Sequence, residues 1–467
     1  MKLKNIREQK HRIILLLFIS LVVYIVGCCL IPPLLKNNDT DTTKLQTDVS
    51  STERICIVDD NMDALLWRLK MIQEAQQEII LVTFELRDDT SGAAIMAALL
   101  EAADRGVSVR LLMDGVDGEL RLHDSQNFEA FLSHENIEVK FYNPLRVTAL
   151  WKVNYRLHDK YLIIDDTAYI LGGRNTHDVY LGASGDDAQN DRDIVVYETV
   201  SSECNSLCQL RNYFEIVWSM EECELLSSKM SGEKQKQIRK TLAEHLSNLI
   251  QEYNLQMTDI DWYSETIQAN GITLLTGNPA AENKTPVVWK QLCRMMEEAD
   301  DEVMILTPLI ICDDAMYEDL GQICQGTADI QIITNALENN VNLLAANYPS
   351  QKRKTLEAGI TISEYCGDKS LHTKTILIDE NLSIIGSFNL DARSTYIDTE
   401  IMLVIDCSAL NAALREQMSK MQEQSKIIEP DGSVSLGAEY IPKEMSFGRK
   451  CLNAILNIVL YPFQYLL

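Results

Sequence analysis

Apolar residues recur along this chain with two periods, and each period predicts a different element. Near the start, residues 13–35 (IILLLFISLVVYIVGCCLIPPLL) carry no charge at all. As a helix this run spans about 34 Å, enough for a hydrocarbon core of about 30 Å. Residues 36–54 follow as a polar stretch without periodicity, which predicts a flexible tether. Beyond it, short apolar runs alternate with amphipathic ones. EIILVTFEL (78–86), VSVRLLMD (107–114) and IEVKFYN (137–143) predict strands, and 61–76 and 92–104 predict helices. The order recurs later: a helix over 286–299, then EVMILTP (302–308), DIQIITN (329–335) and ITISEY (360–365). Each half then reaches an apolar strand, an acidic turn, a second apolar strand, small residues and an asparagine.

An internal repeat of this length predicts two similar α-β-α sandwich domains about a pseudo-two-fold axis, an α/β fold. The expected organisation is a basic segment over 1–12, a transmembrane anchor over 13–35, a linker over 36–54 and a first domain over 55–224. A helical connector over 225–265 and a second domain over 266–467 complete it. The apolar tail from Phe447 to Leu467 is expected to dock as a core helix rather than to lie at an interface.

Charge adds an orientation. Lys2, Lys4, Arg7, Lys10 and Arg12 precede the apolar run. The positive-inside bias puts that end in the cytoplasm and the rest on the far side of a cell membrane. A cleaved signal peptide or lipidation at Cys28 within Ile25-Val26-Gly27-Cys28 are rival readings of the same run. The net charge is −27. A surface this acidic repels nucleic acid, so no nucleic-acid partner is expected, and a site for an anionic substrate must be locally basic. The twelve cysteines form no Cys/His pattern of a zinc site; Cys204, Cys208 and Cys223 are the one loose cluster.

The chemistry lies in the repeated segment. LHDKYLIIDDTAYILGGRN supplies His158, Lys160, Asp165, Gly172, Gly173 and Asn175, and LHTKTILIDENLSIIGSFN supplies His372, Lys374, Asp379, Gly386, Ser387 and Asn389. The interval from His to Asn is seventeen residues in both, and only seven histidines occur in the chain. One such pattern arises by chance; two with matched downstream spacing do not. In an extended segment residues i and i+2 share a side, so each His and its Lys face one site. Two imidazoles suit a two-step phosphoryl transfer, one as nucleophile and one as general acid. Lysines and asparagines can stabilise the non-bridging oxygens without metal or cofactor. Asp165 and Asp379 belong to the candidate set by motif, but their place at strand ends before turns suits a structural task. Asp193 and Glu400, each opening the strand that follows, are the candidate carboxylates for orienting the histidines. Trp151, Lys152, Arg156 and Arg174 gather near the first motif as candidate head-group contacts.

These motifs resemble the HKD motifs of the phospholipase D superfamily. HDKYLIIDDTAYILGGRN and HTKTILIDENLSIIGSFNLDARS with DTE after it are most similar to bacterial cardiolipin synthases. FEIVWS and TNALENNVNLLAANYPSQKRKTLEAGITISEY add to the likeness, which covers roughly residues 55–467. The resemblance implies a phosphatidyl-enzyme intermediate on one histidine, a phospholipid substrate such as phosphatidylglycerol, and no cofactor. By that analogy His158 is the nucleophile and His372 the acid, an order that can be reversed. It also implies that Ser387 can bind phosphate oxygen, a hydroxyl that Gly173 lacks. A cardiolipin synthase-type transferase, a hydrolytic phospholipase D releasing phosphatidic acid and, less favoured by acidity and anchor, a nuclease all fit the motifs.

Overall fold

The apolar runs of each half assemble side by side because strands carrying apolar residues on both sides must be covered on both faces. In this computed structural model, which describes residues 2–31 and 51–466 apart from 183, 184, 186, 201–204, 283, 327 and 342, they build two nine-stranded sheets. The first runs in space Ile267–Gln268, Arg54–Val58, Asp193–Tyr197, Ala168–Gly172, Tyr161–Ile164, Glu78–Thr83, Ser108–Asp114, Ile137–Tyr142, Cys223–Leu225. The second runs Gly271–Thr276, Ile401–Asp406, Leu382–Gly386, Thr375–Ile378, Glu302–Leu306, Asp329–Asn335, Thr361–Tyr365, Ser425–Ile428, Val434–Leu436. In both, three parallel strands (78–83, 108–114 and 137–142; 302–306, 329–335 and 361–365) meet an antiparallel hairpin (161–164 with 168–172; 375–378 with 382–386).

Aspartates start the helices that cover the sheets. Asp60 accepts from the backbone N–H groups of Met62 and Asp63 ahead of Asn61–Glu74, and Asp89 accepts from Gly92 N ahead of Thr90–Asp104. The connector helix Gly232–Glu252 buries Leu242, Leu246 and Leu249 in the outer core of the first lobe. A second core runs through both lobes: Leu157, Ile163 and Leu171 share it with Leu306, Leu377 and Ile385. The inner faces of the two sheets therefore pack on one another and carry the motif segments to a common seam.

The pseudo-symmetry extends to polar side chains. Asp165 accepts from the backbone nitrogens of Gln76, Gln77 and Glu78 at 2.8–2.9 Å, and Asp379 from those of Asp300, Asp301 and Glu302 at 2.9–3.2 Å. Both sit at positive φ, +44° and +49°, a conformation aspartate tolerates in tight turns. Arg211 bridges Glu78 and the Asp165 carbonyl, and Arg415 bridges Glu302 and the Asp379 carbonyl.

Helix Lys2–Leu30 exposes apolar side chains from Ile13 to Val26. Among the described residues no helix is long and apolar enough to cross a membrane. The tether expected over 36–54 falls largely outside the described residues, as do Cys204 and the side chain of Cys29; the ten cysteines whose side chains are described are free. The tail departs from expectation. Phe447–Leu460 is a helix, but it is not a core helix: Asn453 alone of its residues is buried, and Phe447, Leu452, Ile455, Ile458 and Val459 are exposed.

Candidate active site

Both H-x-K segments run extended into a hairpin strand, Tyr161–Ile164 or Thr375–Ile378. Alternation puts His158 and Lys160 on one side, and His372 and Lys374 likewise. Each segment is fastened to the opposite lobe. His158 N donates to Thr399 Oγ1 at 2.9 Å, and Thr399 N to the Arg156 carbonyl at 2.9 Å. His372 N donates to the Asn190 carbonyl at 2.7 Å, and Ser370–Leu371 pairs with Gln189–Asn190 in a two-stranded sheet.

These ties place beside each histidine the residue that follows in the other lobe. Glu400 Oε1 lies 2.9 Å from His158 Nδ1, and Asp191 Oδ2 lies 2.5 Å from His372 Nδ1. The carboxylates are exchanged across the seam, so neither lobe contains a complete histidine-carboxylate pair. Each carboxylate takes the Nδ1 side of its ring, so the chemistry falls to Nε2. Lys160 and Lys374 are buried and donate to the carbonyls of His158 and His372; Lys374 Nζ is also 3.0 and 3.2 Å from the two ring nitrogens of His372.

Glu400 was expected among the orienting carboxylates, and it contacts the histidine of the other half. Asp193 does not contact a histidine: it is buried against Arg68 at 2.9 Å and Arg174 at 3.2 Å. Strand register gives the reason. Gly172 opposes Asp193 as Gly386 opposes Met402, so the counterpart of Glu400 is Asp191, two residues earlier. Asp165 and Asp379 stand in the turns at the far ends of the hairpins, tying backbone as described, and not among the residues that line the cleft. Ser387 is not among the residues that line the cleft. It is fully buried, donates to Glu400 Oε2 and accepts from Ile401 N. Its counterpart Gly173 has no room for a side chain, because a Cβ there would come 2.3 Å from Asp191 Oδ1. The longer glutamate is braced by a serine, and the shorter aspartate needs the glycine in order to fit.

Asn175 and Asn389 are part of the same seam, and the side-chain carbonyl of each is buried without a hydrogen-bond partner. Of the candidate head-group contacts, Arg174 is buried and committed to Asp193, Asn61 and the carbonyls of Val58, Asp59 and Tyr180. Arg156 is held by Asp114, and Lys152 by Glu222. Trp151 remains exposed. Sequence reasoning missed Tyr180, whose ring centroid lies 4.6 Å from that of His372, and Phe84, 5.5 Å from His158.

The histidines open into one cleft of about 680 Å³, lined also by Phe84, Tyr180, Asn389 and Asp391. Arg87, Arg121 and Arg393 supply cations on its walls, interleaved with Glu85 and Asp398. Burial, reinforced by Lys160, holds the His158 imidazole well below its ordinary range. Burial and Lys374 push His372 down to about 3. Burial therefore favours the neutral form of both rings. Burial also lowers Lys160 to about 7 and raises Glu400 to about 7. Asp191 is different: burial disfavours its charge, but Lys374 and His372 outweigh burial and keep it ionised.

A family model described as "Cardiolipin synthase, PLD-like domain" matches residues 69–218 and 292–422, and the chain belongs to that family. It is thus a cardiolipin synthase-like enzyme of the phospholipase D superfamily. Cardiolipin synthase C of Escherichia coli is 26% identical over 417 residues, 78% of this chain and 84% of that one. An uncharacterized protein of Helicobacter pylori is 28% identical over 406 residues, 79% of either chain. The crystal structure of a phosphatidylserine synthase from Haemophilus influenzae shares the fold with a TM-score of 0.63 at 14% identity, over 88% of this chain and 95% of that one.

Proposed function

We propose that this cardiolipin synthase-like enzyme joins two phospholipids, phosphatidylglycerol or a similar pair, through a phosphatidyl-histidine intermediate. The observation that carries the reading is the crossed pairing: two histidines in one cleft, each with Nδ1 on a carboxylate from the opposite lobe. His158 Nε2 attacks phosphorus, and the P–O bond to the leaving glycerol breaks as His372 gives that oxygen a proton. An anionic phosphodiester in the cleft favours the proton on His372, and Asp191 stabilises the resulting cation. The hydroxyl of a second lipid then attacks phosphorus, His372 takes its proton, and the N–P bond breaks. Lys160, Lys374 and the carboxamides of Asn175 and Asn389 stabilise charge on the non-bridging oxygens.

The catalytic lobes correspond to residues 55–224 and 266–467. Residues 13–35 anchor them to the cell membrane, with the N-terminus cytoplasmic and the lobes outside; the uncharged run and the five cations before it support this. The test is product analysis. Purified protein in detergent micelles with phosphatidylglycerol should yield cardiolipin and free glycerol. Phosphatidic acid alone would make water the acceptor and the protein a phospholipase; neither product would remove the lipid assignment.

A further inference from the structure

A helix packed on a water-soluble protein turns its apolar side inward. Phe447–Leu460 keeps its larger apolar side outward. Its outer side carries Phe447 (82% exposed), Leu452, Ile455, Ile458 (76% exposed) and Val459. Leu452 and Ile455 are three residues apart, Ile458 and Val459 stand three and four after Ile455, and Phe447 lies about three turns before Ile458, so they form one stripe. The side toward the protein carries buried Asn453 with half-buried Arg449, Leu456, Leu460 and Asn457, and the side-chain carbonyl of Asn457 is buried without a partner. The helix thus turns its larger apolar stripe away from the protein, an arrangement that marks a binding or membrane surface.

We propose that this helix lies in the plane of a phospholipid membrane interface and seats the mouth of the catalytic cleft on the lipid surface. The proposal rests on the reading that the enzyme acts on membrane phospholipid. Three contacts identify the lipid surface as the occupant. Tyr465 in the turn after the helix donates to the Leu30 carbonyl at 3.2 Å, so the tail meets the end of the helix that carries the long apolar run. Segment Val147–Lys152 packs near that same helix and exposes Val147 and Trp151, an aromatic of the kind that settles at head-group depth. Arg449 donates to the Asn340 carbonyl and Arg393 to that of Leu466, and Asn340 and Arg393 both line the cleft. The helix is therefore fastened to the cleft wall through Arg449, and the turn that follows it to the apolar N-terminal helix through Tyr465. Asn340, which holds Arg449, and Val341 line the same cleft as the two histidines.

The test uses the full chain with Ile455→Glu and Ile458→Glu together, neither of which touches the site. Glycerol release is measured from long-chain phosphatidylglycerol in phosphatidylcholine vesicles and from a short-chain phosphatidylglycerol kept monomeric. The expected result is a loss of about tenfold or more on vesicles with the monomeric substrate turned over as before. Equal activity on vesicles, or an equal fall on both substrates, would overturn the proposal. Ile458→Trp gives a readout independent of turnover. Its added fluorescence should be quenched by vesicles of brominated phosphatidylcholine, and absence of quenching would overturn the proposal even if the enzyme's substrate proves to be another lipid. Release of the protein by alkaline washing would refute the anchor at 13–35 and leave both results readable.

Discussion

Asp191→Asn removes one charge and almost no volume from the seam between the lobes. Asp191 is fully buried, its Oδ2 sits 2.5 Å from His372 Nδ1, and Lys374 and His372 keep it ionised. A hydrogen bond to an ionised partner is worth about 1.5–3 kcal/mol, or about 10–150-fold in rate if it is felt only when His372 carries a proton. The amide can also turn its NH₂ toward the ring and select the wrong tautomer, the effect that takes an equivalent change in serine protease triads to about 10⁴-fold. The expected loss in kcat is therefore about 10²–10⁴-fold with KM little changed. The assay is release of radiolabelled glycerol from phosphatidylglycerol, with circular dichroism to establish the fold. Asp193→Asn is the control. It breaks buried ion pairs to Arg68 and Arg174 and should cost about 3–5 kcal/mol of stability. The folded fraction should keep its kcat. If Asp191→Asn stays within about threefold of the parent while Asp193→Asn abolishes turnover of folded protein, the crossed-carboxylate assignment is wrong.

Further outcomes follow from the same geometry. Gly173→Ser should act like Asp191→Asn on kcat, because its Cβ would meet Asp191 Oδ1 at 2.3 Å and push the carboxylate off His372; unchanged kcat would show that Asp191 is free to move. Asp165→Ala loses three backbone hydrogen bonds at the turn and should lower stability by about 2 kcal/mol in denaturant melts without altering kcat. The pH profile of kcat/KM should be a narrow bell. Glu400, raised to about 7, must lose its proton to serve His158, and Lys160, lowered to about 7, must keep its proton to hold phosphate. The two limbs meet near neutrality as properties of the coupled pair. Glu400→Gln should erase the acid limb. The linkage sign also follows: a carboxyl raised on folding adds stability at low pH that fades as pH rises from the unfolded value toward about 7.

Periodicity and motif spacing already placed most of the central strands, the covering helices and both H-x-K segments, because burial on two faces and alternation leave direct traces in sequence. The boundaries moved by only a few residues; the strand expected over 78–86 ends at Thr83, where the chain turns toward the cleft with Phe84 and Glu85. Asp191 was hidden by loop length. It follows His158 by thirty-three residues, whereas Glu400 follows His372 by twenty-eight, and a second aspartate at the strand start offered a plausible substitute. Matching Gly172 to Gly386 and counting back from their strand partners would have found it. The exchange of carboxylates between lobes left no trace in sequence, since it depends on how the two sheets meet. The tail's spacing announced a helix but not which side faced the protein; that side carries Arg449, which finds its partner at Asn340 on the rim, and Asn453, which donates to Met445 just before the helix.

The central claim is that the crossed seam makes one histidine a phosphorus acceptor. The most direct measurement is a rapid alkaline quench of enzyme with phosphatidylglycerol labelled in its phosphate, followed by peptide mapping by mass spectrometry. The account predicts a phosphatidyl adduct on the peptide containing His158, formed and lost at the rate of turnover. An adduct on His372 would reverse the assigned roles, and turnover with no histidine adduct at all would contradict the mechanism.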